Sequence, residues 1–469
     1  MSTLTRRRFI QDTAAALPAL ALAPRFRSWQ SSDPWAQADA IVRAIEVPRF
    51  PARSFDITGY GAVGDGKASC SDAIRKAISA CSAAGGGRVV VPKGRFLTGA
   101  IRLESNVNLH LEDDATLAFT DDVAQYPIVF TRWEGVELMN VSPFVYAWET
   151  HDIAITGRGT LDGQANASRW WNWRLAAPGN PGRDRAARNR LIDMQARGVP
   201  VAERVFGPPD CLRPNFIQPY RSRNILIDGP TIVNSPMWEI HPVLCRSVTV
   251  RNVTVRSHGP NNDGCNPESC SGVLIEGCTF DTGDDCIALK SGRNDDGRRL
   301  NVPVENVVIR NCSMKDGHGG VVIGSEISGG ARNIFAEKCR MDSPQLDRAL
   351  RVKTNSVRGG TIENVYMRDV TVGEVAEAIV TIDFFYEEGE GGPHTPVVRN
   401  IEVRNVTSRK SQHALLLRGF KTAPISGVRL EDCTFDGVAK PDVLENVNGV
   451  ELKNVRINGE LKNGVISSR

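Results

Sequence analysis

A short strand pattern that recurs along the second half of the chain constrains the fold more than any other feature of the sequence. Each copy alternates apolar and polar residues, as in Val-Thr-Val-Arg-Asn-Val at residues 248–253. The copies end at residues 230, 253, 278, 312, 339, 370, 406, 433 and 455, which gives spacings of 22 to 36 residues. β-Branched residues within the copies, and Gly, Asn or Asp between them, favour short strands over helical repeats. The repeat therefore predicts a parallel β-helix, a solenoid whose coils stack about 4.8 Å apart.

The length of the chain is compatible with a single solenoid. A chain of 469 residues ordinarily divides into several domains, but a solenoid adds core with every coil. We therefore predict one domain over residues 54–469. A longer gap of 72 residues separates the copy that ends at Arg158 from the next copy, which ends at Pro230. We expect the residues at about 160–220 to leave the solenoid as an insertion.

The open N-terminal end of a solenoid needs a cover. Residues 71–84 predict an amphipathic helix with Ile74, Ala77, Ile78 and Cys81 on one face, stopped by three consecutive glycines at 85–87. We expect this helix to cap the first coil.

The cysteines fit the solenoid better than a disulfide framework. Cys278, Cys312, Cys339 and Cys433 occupy the repeat position that valine fills in other copies, so we expect an interior stack of thiols. The total of 11 leaves at least one thiol unpaired. No Cys/His spacing indicates a zinc site, and we predict neither a metal nor another cofactor.

The N-terminus indicates export. Residues 1–23 place Arg6, Arg7 and Arg8 before an apolar stretch, and this order resembles a twin-arginine signal. The resemblance implies export of the folded protein by the twin-arginine machinery to the periplasm or the exterior. Residues 24–53 contain four prolines and no sustained periodicity, so we interpret them as a linker.

Net charge and hydropathy exclude some partners. The formal charge of +3 falls to +1 without residues 1–23, which contain three arginines and one aspartate, and this argues against a nucleic-acid partner. No apolar run reaches the roughly 18–20 residues of a membrane span. We predict a monomer without a membrane anchor.

Four polar clusters interrupt the repeat at similar offsets on four consecutive coils. Such offsets place them on one face, so we expect them to converge on a single groove. The clusters are Asn-Asn-Asp-Gly at 261–264, Gly-Asp-Asp at 283–285, Gly-His-Gly at 317–319 and Arg-Val-Lys at 351–353.

The phase of the neighbouring apolar residues indicates which polar side chains face outward. Ile287 and Leu289 match the offsets of inward residues on the next coils, and Arg351 and Lys353 alternate with inward positions. On a regular strand Asp285 would point into the core, where an unpaired carboxylate is too costly. We therefore predict a bent backbone at residues 283–285.

The three carboxylates of Asp263, Asp284 and Asp285 predict acid–base chemistry. Like charges this close raise the pKa of one group, while Arg351, Lys353 and His318 keep the others ionised. One acid and one base are what glycoside hydrolysis requires. A separation of about 5 Å gives a covalent nucleophile and retention, whereas about 6.5–9.5 Å leaves room for a water molecule and gives inversion. We predict inversion.

The four clusters resemble the motifs Asn-Thr-Asp, Gly-Asp-Asp, Gly-His-Gly and Arg-Ile-Lys of the polygalacturonases, glycoside hydrolase family 28. The departures are Asn262 and Val352. The resemblance implies an all-β, single-stranded, right-handed parallel β-helix of the pectin-lyase-like type. It also implies that Asp284 is the general acid, that Asp263 and Asp285 activate water, and that His318 tunes the acid.

The same resemblance implies the substrate, an acidic pectic polysaccharide with α-1,4 galacturonosyl linkages. Arg351 and Lys353 are then the pair that grips a galacturonate carboxylate. Tyr386 is the tyrosine of the same subsite, and Asn261 is a further substrate contact.

Several alternatives remain open at this stage. A hydrolase of rhamnogalacturonan or xylogalacturonan would use the same machinery. A calcium-dependent pectate lyase or a carbohydrate-binding solenoid shares the fold but not the isolated histidine between glycines. We further hypothesise that the insertion closes one end of the groove, which would restrict the enzyme to chain ends; in the opposing hypothesis it folds away.

Overall fold

The computed structural model describes residues 33–175 and 182–467. Most of this part of the chain forms parallel strands that stack coil upon coil in three ladders, so the predicted parallel β-helix is confirmed. The predicted twin-arginine segment, residues 1–23, lies outside the described residues. No helix in the described part is long and apolar enough to cross a membrane.

The first ladder runs the length of the solenoid. Its strands are Ser54–Asp56, Gly87–Val91, Val107–Leu111, His151–Gly157, Arg223–Asp228, Arg246–Arg251, Ser271–Glu276, Val304–Arg310, Ala331–Glu337, Thr361–Glu374, Val397–Lys410, Ile425–Glu431 and Val447–Ile457.

The second ladder follows the turn after the first. Its separate strands are Asp65–Ser69, Gly94–Thr98, Ala115–Phe119, Thr160–Asp162, Thr231–Val233, Thr254–Ser257, Thr279–Thr282, Ser313–Met314, Arg340–Met341 and Thr434–Phe435. The long strands Thr361–Glu374, Val397–Lys410 and Val447–Ile457 belong to both ladders.

The third ladder forms the remaining wall. Its strands are Ile101–Arg102, Val145–Trp148, Ile217–Tyr220, Ile287–Leu289, Val321–Ile323, Arg348–Lys353, Ala378–Asp383, His413–Arg418 and Val443–Glu445. Single bridges through Ile240 and Cys265 connect Ile217 to Ile287. Outside the ladders, Ile128–Trp133 and Val136–Val141 form an antiparallel hairpin, and Glu460–Ile466 pairs antiparallel with the last coil.

The repeat pattern places equivalent residues in register. Val248, Val273 and Val307 pair in sequence on adjacent coils, as do Ile287 and Val321 in the third ladder. Their side chains are fully buried inside the solenoid. Stacked β-branched residues therefore form the core, as the sequence predicts.

Four α-helices lie against the solenoid in the described residues: α1 (Pro34–Ala44), α2 (Ser71–Ala83), α3 (Arg185–Ala196) and α4 (Asn294–Leu300). Helix α2 is the predicted cap, and its buried face includes Ile74, Ala77, Ile78 and Cys81.

Helix α1 lies within residues 24–53, the segment interpreted as a linker, where the sequence analysis did not predict a helix. Asp33 caps its N-terminus, and the ring of Trp35 packs edge-on against Phe335 on the outside of the first ladder. The guanidinium of Arg368 lies 3.9 Å from the centre of the Trp35 ring. The apolar face of this helix is too short to be recognised as a periodic pattern in the sequence. It is nevertheless enough to hold the helix on a sheet that has already formed.

All 11 cysteines lie in the described residues, and every one is buried and unpaired. Cys278, Cys312 and Cys339 directly precede the paired residues Thr279, Ser313 and Arg340 on adjacent coils, and the thiol of Cys312 contacts the carbonyl oxygens of Ile275 and Arg310. This is the interior stack that the repeat positions predict.

Between Thr160–Asp162 and Ile217–Tyr220 the chain leaves the stacked strands. This stretch carries α3, and its tryptophans Trp170 and Trp173 are buried, with Trp170 packed against Tyr126 and Phe144. These two rings therefore anchor the stretch to the solenoid.

Candidate active site

The structure brings the four polar clusters together along one side of the third ladder. Asp284 and Asp285 directly precede Ile287–Leu289, and His318 precedes Val321–Ile323 on the next coil. Arg351 and Lys353 lie within Arg348–Lys353. Stacking of coils therefore converts a repeat in sequence into neighbours in space.

Two glycines allow these turns to approach closely. A Cβ atom on Gly283 would lie 2.5 Å from the carbonyl oxygen of Gly259, and one on Gly317 would lie 2.5 Å from that of Asp284. Gly317 also has a φ of +150°. Neither position tolerates a side chain, because backbone occupies the space that it would need.

The backbone around Asp285 is irregular, as predicted, but the carboxylate is not exposed in the groove. Asp285 is fully buried, and it receives a hydrogen bond of 2.7 Å from Lys353 and one of 3.5 Å from Arg351. Burial is tolerated because the charge is paired. The charge of Asp285 in turn raises the pKa of Lys353, although burial alone would lower it.

Asp284 is the most accessible of the three carboxylates. Its side chain is 18% exposed, against 3% for Asp263 and 0% for Asp285. Nδ1 of His318 lies 3.0 Å from Oδ1 of Asp284, and this hydrogen bond raises the pKa of His318. Burial would raise the pKa of Asp284, but the hydrogen bond with His318 and the charge of Lys353 lower it below its usual value.

The carboxyl group with the raised pKa is Asp263. Burial and the nearby charge of Asp284 hold its pKa well above the usual value. Asn266 donates a hydrogen bond of 2.7 Å to Oδ2 of Asp263. The sequence predicts one carboxyl with a raised pKa without saying which, and the family resemblance implies that a different residue, Asp284, is the general acid. The pKa of Asp263 is raised because this residue is more deeply buried, whereas the hydrogen bond with His318 lowers the pKa of Asp284.

The spacing of the carboxylates also differs from the prediction. One oxygen of each of Asp263, Asp284 and Asp285 lies within 4.8 Å of the others. This is closer than the typical inverting separation of about 6.5–9.5 Å. The oxygens come this close because Asp284 and Asp285 are consecutive in one turn, and Asp263 lies in the turn of the preceding coil, about one coil spacing away.

Lys290 is a site residue that the sequence analysis missed. Its ammonium donates a hydrogen bond of 2.9 Å to Glu326 and lies 3.7 Å from Oδ2 of Asp263 and 4.4 Å from the ring centre of Trp238. Lys290 directly follows the strand Ile287–Leu289. A lysine after a strand is too common in sequences to indicate a site residue. Glu326 is thus a buried ion-pair partner.

The predicted carboxylate-binding residues surround a pocket of about 200 Å³. The ring of Tyr386 lies 5.6 Å from the guanidinium of Arg351 and 5.2 Å from the ammonium of Lys353. Asn261 does not line this pocket; it has a left-handed φ of +56°, and its Oδ1 accepts a hydrogen bond of 2.7 Å from Arg213. Both Tyr386 and Asn261 are half-buried.

Asn262, which departs from the family motif, has a structural role. Its fully buried amide accepts hydrogen bonds from Ser257 and from the backbone N–H of Gly259, and donates to the carbonyls of Ser235 and Met237. These bonds fix the turn that presents Asp263.

The insertion packs against the groove rather than away from it. A Cβ atom on Gly259 would lie 2.2 Å from Trp171, and Arg213 contacts Asn261. From α3, Arg188 reaches Glu387, which follows Tyr386 in the chain. The stretch therefore contacts the groove at the turn before Asp263 and at the loop of Tyr386.

The three aspartates could offer oxygen ligands to a metal ion. Ammonium groups already lie beside two of them, Lys290 at Asp263 and Lys353 at Asp285. The positive charges of these two lysines balance the negative charges of the carboxylates, as a metal cation would otherwise do. The absence of a metal requirement stays a prediction.

Comparison with known proteins identifies the family. The model of Glycosyl hydrolases family 28 matches residues 210–457. A probable polygalacturonase of Vitis vinifera is 29% identical over 85% of this chain and 78% of its own length. The exo-poly-alpha-D-galacturonosidase of Dickeya chrysanthemi is 27% identical over 76% of this chain and 62% of its own.

A solved structure is considerably more similar. The hyperthermoactive exopolygalacturonase of Thermotoga maritima superposes with a TM-score of 0.90 and 41% identity, covering 93% of this chain and 98% of that one. The matched family region contains all four polar clusters and more than half of the 469 residues. This chain therefore belongs to glycosyl hydrolase family 28 and is a glycoside hydrolase.

Proposed function

We propose that this enzyme is an exo-acting polygalacturonase that hydrolyses α-1,4 galacturonosyl linkages in pectic polymers. The observation that carries the proposal is the position of the carboxylates of Asp263, Asp284 and Asp285 directly beside the cationic pocket of Arg351, Lys353 and Tyr386. A uronate bound in that pocket has its glycosidic bond within reach of an acid and a base. The names of the relatives in Thermotoga and Dickeya agree with this substrate.

Asp284 acts as the proton donor, because it is the carboxyl most open to the groove. Asp263 holds the proton when the groove is free, and its oxygen lies within 4.8 Å of Asp284. The proton passes to Asp284 and then to the glycosidic oxygen as the C–O bond breaks. Asp263, now ionised, and Asp285 take a proton from the attacking water, which restores the starting charge.

Inversion of the anomeric centre follows from burial. A nucleophile that forms a covalent intermediate must touch the anomeric carbon, but Asp263 and Asp285 are buried and engaged by Lys290 and Lys353. These carboxylates are better placed to orient a water molecule than to attack. We therefore retain inversion in spite of the short separation.

The packing of the insertion supports exo-action. Trp171 and Arg213 lie against the turn before Asp263, at the end of the groove nearest the insertion. A groove closed at this end admits a chain terminus and releases mono- or disaccharides.

Export to the periplasm or the exterior by the twin-arginine route belongs to the same proposal. The 11 buried, unpaired thiols support it, because a chain that folds in the reducing cytoplasm buries them before it meets an oxidising compartment. We also propose that the enzyme acts as a monomer.

The test is hydrolysis of polygalacturonate, xylogalacturonan and rhamnogalacturonan with a chelator present. We expect reducing ends to accumulate fastest on polygalacturonate, without an unsaturated product that absorbs ultraviolet light. Unsaturated product would favour a lyase, faster cleavage of another polymer would reassign the substrate, and binding without cleavage would favour a carbohydrate-binding solenoid.

A further inference from the structure

The loop that carries Tyr386 forms one wall of the proposed uronate pocket. It follows the strand Ala378–Asp383, and the ring of Tyr386 lies over the cations of Arg351 and Lys353. The next residue, Glu387, has a left-handed φ of +51°. This conformation is unfavourable for a residue other than glycine, so contacts of the side chain must hold it.

Three guanidinium groups converge on the carboxylate of Glu387. Arg358 lies 2.6 Å and Arg293 3.1 Å from its Oε2, and Arg188 lies 3.4 Å from its Oε1. The side chains of Arg358 and Arg293 are 0% and 2% exposed, whereas that of Glu387 is 35% exposed. Because buried guanidinium groups cannot exchange this partner for water, they hold the carboxylate in place.

The three arginines come from separate parts of the chain. Arg358 follows the strand Arg348–Lys353, Arg293 directly precedes α4, and Arg188 lies in α3 of the insertion. Glu387 therefore joins the Tyr386 loop to three elements that are distant from it in sequence.

We propose that Glu387 is a positioning residue, which holds Tyr386 over Arg351 and Lys353 by anchoring the loop to the three arginines. The proposal rests on the proposed function, because the position of Tyr386 matters as a wall of the uronate pocket. It adds to that function a residue outside the four motifs, which acts through its neighbour in the chain.

The backbone on both sides of Glu387 is held by the same group of residues. Nδ2 of Asn355 donates hydrogen bonds of 2.8 Å to the carbonyl oxygen of Tyr386 and to Oε2 of Glu388. Arg358 also lies 3.3 Å from Glu388. These contacts restrain the peptide backbone at Tyr386, so the direction of its ring depends on where the loop is anchored.

The arginines keep other partners when the charge of Glu387 is removed. Arg293 lies 3.1 Å from Glu134 and 3.7 Å from Glu326, and Arg188 lies 2.7 Å from Glu134. We therefore expect a variant at Glu387 to fold and to change mainly the Tyr386 loop. The carboxylate of Asp263 is separated from this loop by the further ion pairs of Glu326 and Lys290.

The experiment compares the steady-state kinetics of Glu387→Gln and the wild-type enzyme on polygalacturonate. The matched control is Glu276→Gln, since Glu276 is 29% exposed and accepts a hydrogen bond of 2.7 Å from Arg310 on the first ladder. We expect Glu387→Gln to raise KM about tenfold and to change kcat by less than about threefold, because binding is lost without loss of the reacting groups. Glu276→Gln should change neither constant.

An unchanged KM in Glu387→Gln, or a fall in kcat larger than the rise in KM, would overturn the positioning role. A double-mutant cycle tests whether Glu387 acts through Tyr386. In a Tyr386→Ala background, Glu387→Gln should not raise KM further, because the ring that it positions is absent. An equal rise of KM in both backgrounds would also overturn the proposal.

Hydrogen–deuterium exchange separates the anchoring of the loop from the proposed function, because it needs no substrate. Amides of residues 384–390 should exchange faster in Glu387→Gln than in the wild-type enzyme and at the wild-type rate in Glu276→Gln. Unchanged exchange in Glu387→Gln would show that Glu387 does not hold the loop. If the wild-type enzyme cleaves no polygalacturonate, the proposed function fails, and the exchange rates still decide whether Glu387 anchors the loop.

Discussion

Lys353 donates a hydrogen bond of 2.7 Å to Oδ2 of Asp285, so the residue proposed to bind the substrate carboxylate also pairs with a buried carboxylate of the candidate site. Its ammonium lies at the same time 5.2 Å from the centre of the Tyr386 ring at the pocket. One side chain therefore couples the binding of a uronate to the charge of the site. This coupling predicts that the lysine affects turnover as well as affinity.

Lys353→Met should raise KM for polygalacturonate and lower kcat, each by about tenfold or more, because it removes a ligand for the substrate carboxylate and leaves Asp285 without its main partner. Steady-state kinetics measure both constants. Lys453→Met, which removes an exposed lysine paired with Glu431, is the control. An unchanged kcat/KM in Lys353→Met would contradict the assignment of substrate class.

Asp284→Asn should keep the fold and the affinity for oligogalacturonate but lose turnover by about 10²–10⁴-fold, because a carboxamide cannot deliver a proton. Single-turnover rates and calorimetric binding measure the two effects. Asp281→Asn on the same segment, where Asp281 contacts the exposed His258, should remain active. Near-normal turnover in Asp284→Asn would remove Asp284 from the role of acid.

The first product released from an α-linkage should be the β-anomer, since Asp263 and Asp285 are buried and act through water in the proposed mechanism. Proton NMR during the first minutes of the reaction distinguishes the anomers before mutarotation. If the α-anomer appears first, one of these carboxylates attacks the sugar directly, as the separation within 4.8 Å would then allow.

The viscosity of polygalacturonate should fall slowly while reducing sugar accumulates, because the insertion packs against one end of the groove and admits only chain ends. Viscometry and a reducing-end assay on the same sample measure the relation. An early collapse of viscosity would indicate internal cleavage in an open groove.

Asp263→Asn should abolish most activity but stabilise the protein at neutral pH. Because the pKa of Asp263 is raised in the folded state, the folded state binds the proton more tightly than the unfolded state. Stability therefore falls as the pH rises from the unfolded value of about 4 through the raised folded value. The neutral carboxamide avoids this loss.

The expected gain in Tm for Asp263→Asn is about 2 °C or more at pH 7, and it should disappear near pH 4. Calorimetric melting curves across this range measure it. A lower Tm at pH 7 would mean that Lys290 stabilises the ionised form of Asp263 and that the proton resides elsewhere.

The sequence was sufficient to predict the solenoid, the cap and the grouping of the polar clusters. The repeat of strands such as residues 248–253 defines the register, and register alone brings Asp263, Asp284, His318 and Lys353 to one edge. Helix α1 was missed because its stability comes from packing Trp35 onto a sheet that is distant in sequence.

Only the tertiary structure decided the protonation and the partners within the site. The sequence predicts that one carboxyl has a raised pKa, but which one depends on depth of burial and on charges from other coils, and these favour Asp263. Lys290 and Arg213 contact the site from positions that no motif marks. Repetition along the chain thus determined the fold and the residues that meet in the site. Burial and ion pairs between distant parts of the chain determined which of these residues are protonated, and neither leaves a pattern in the local sequence.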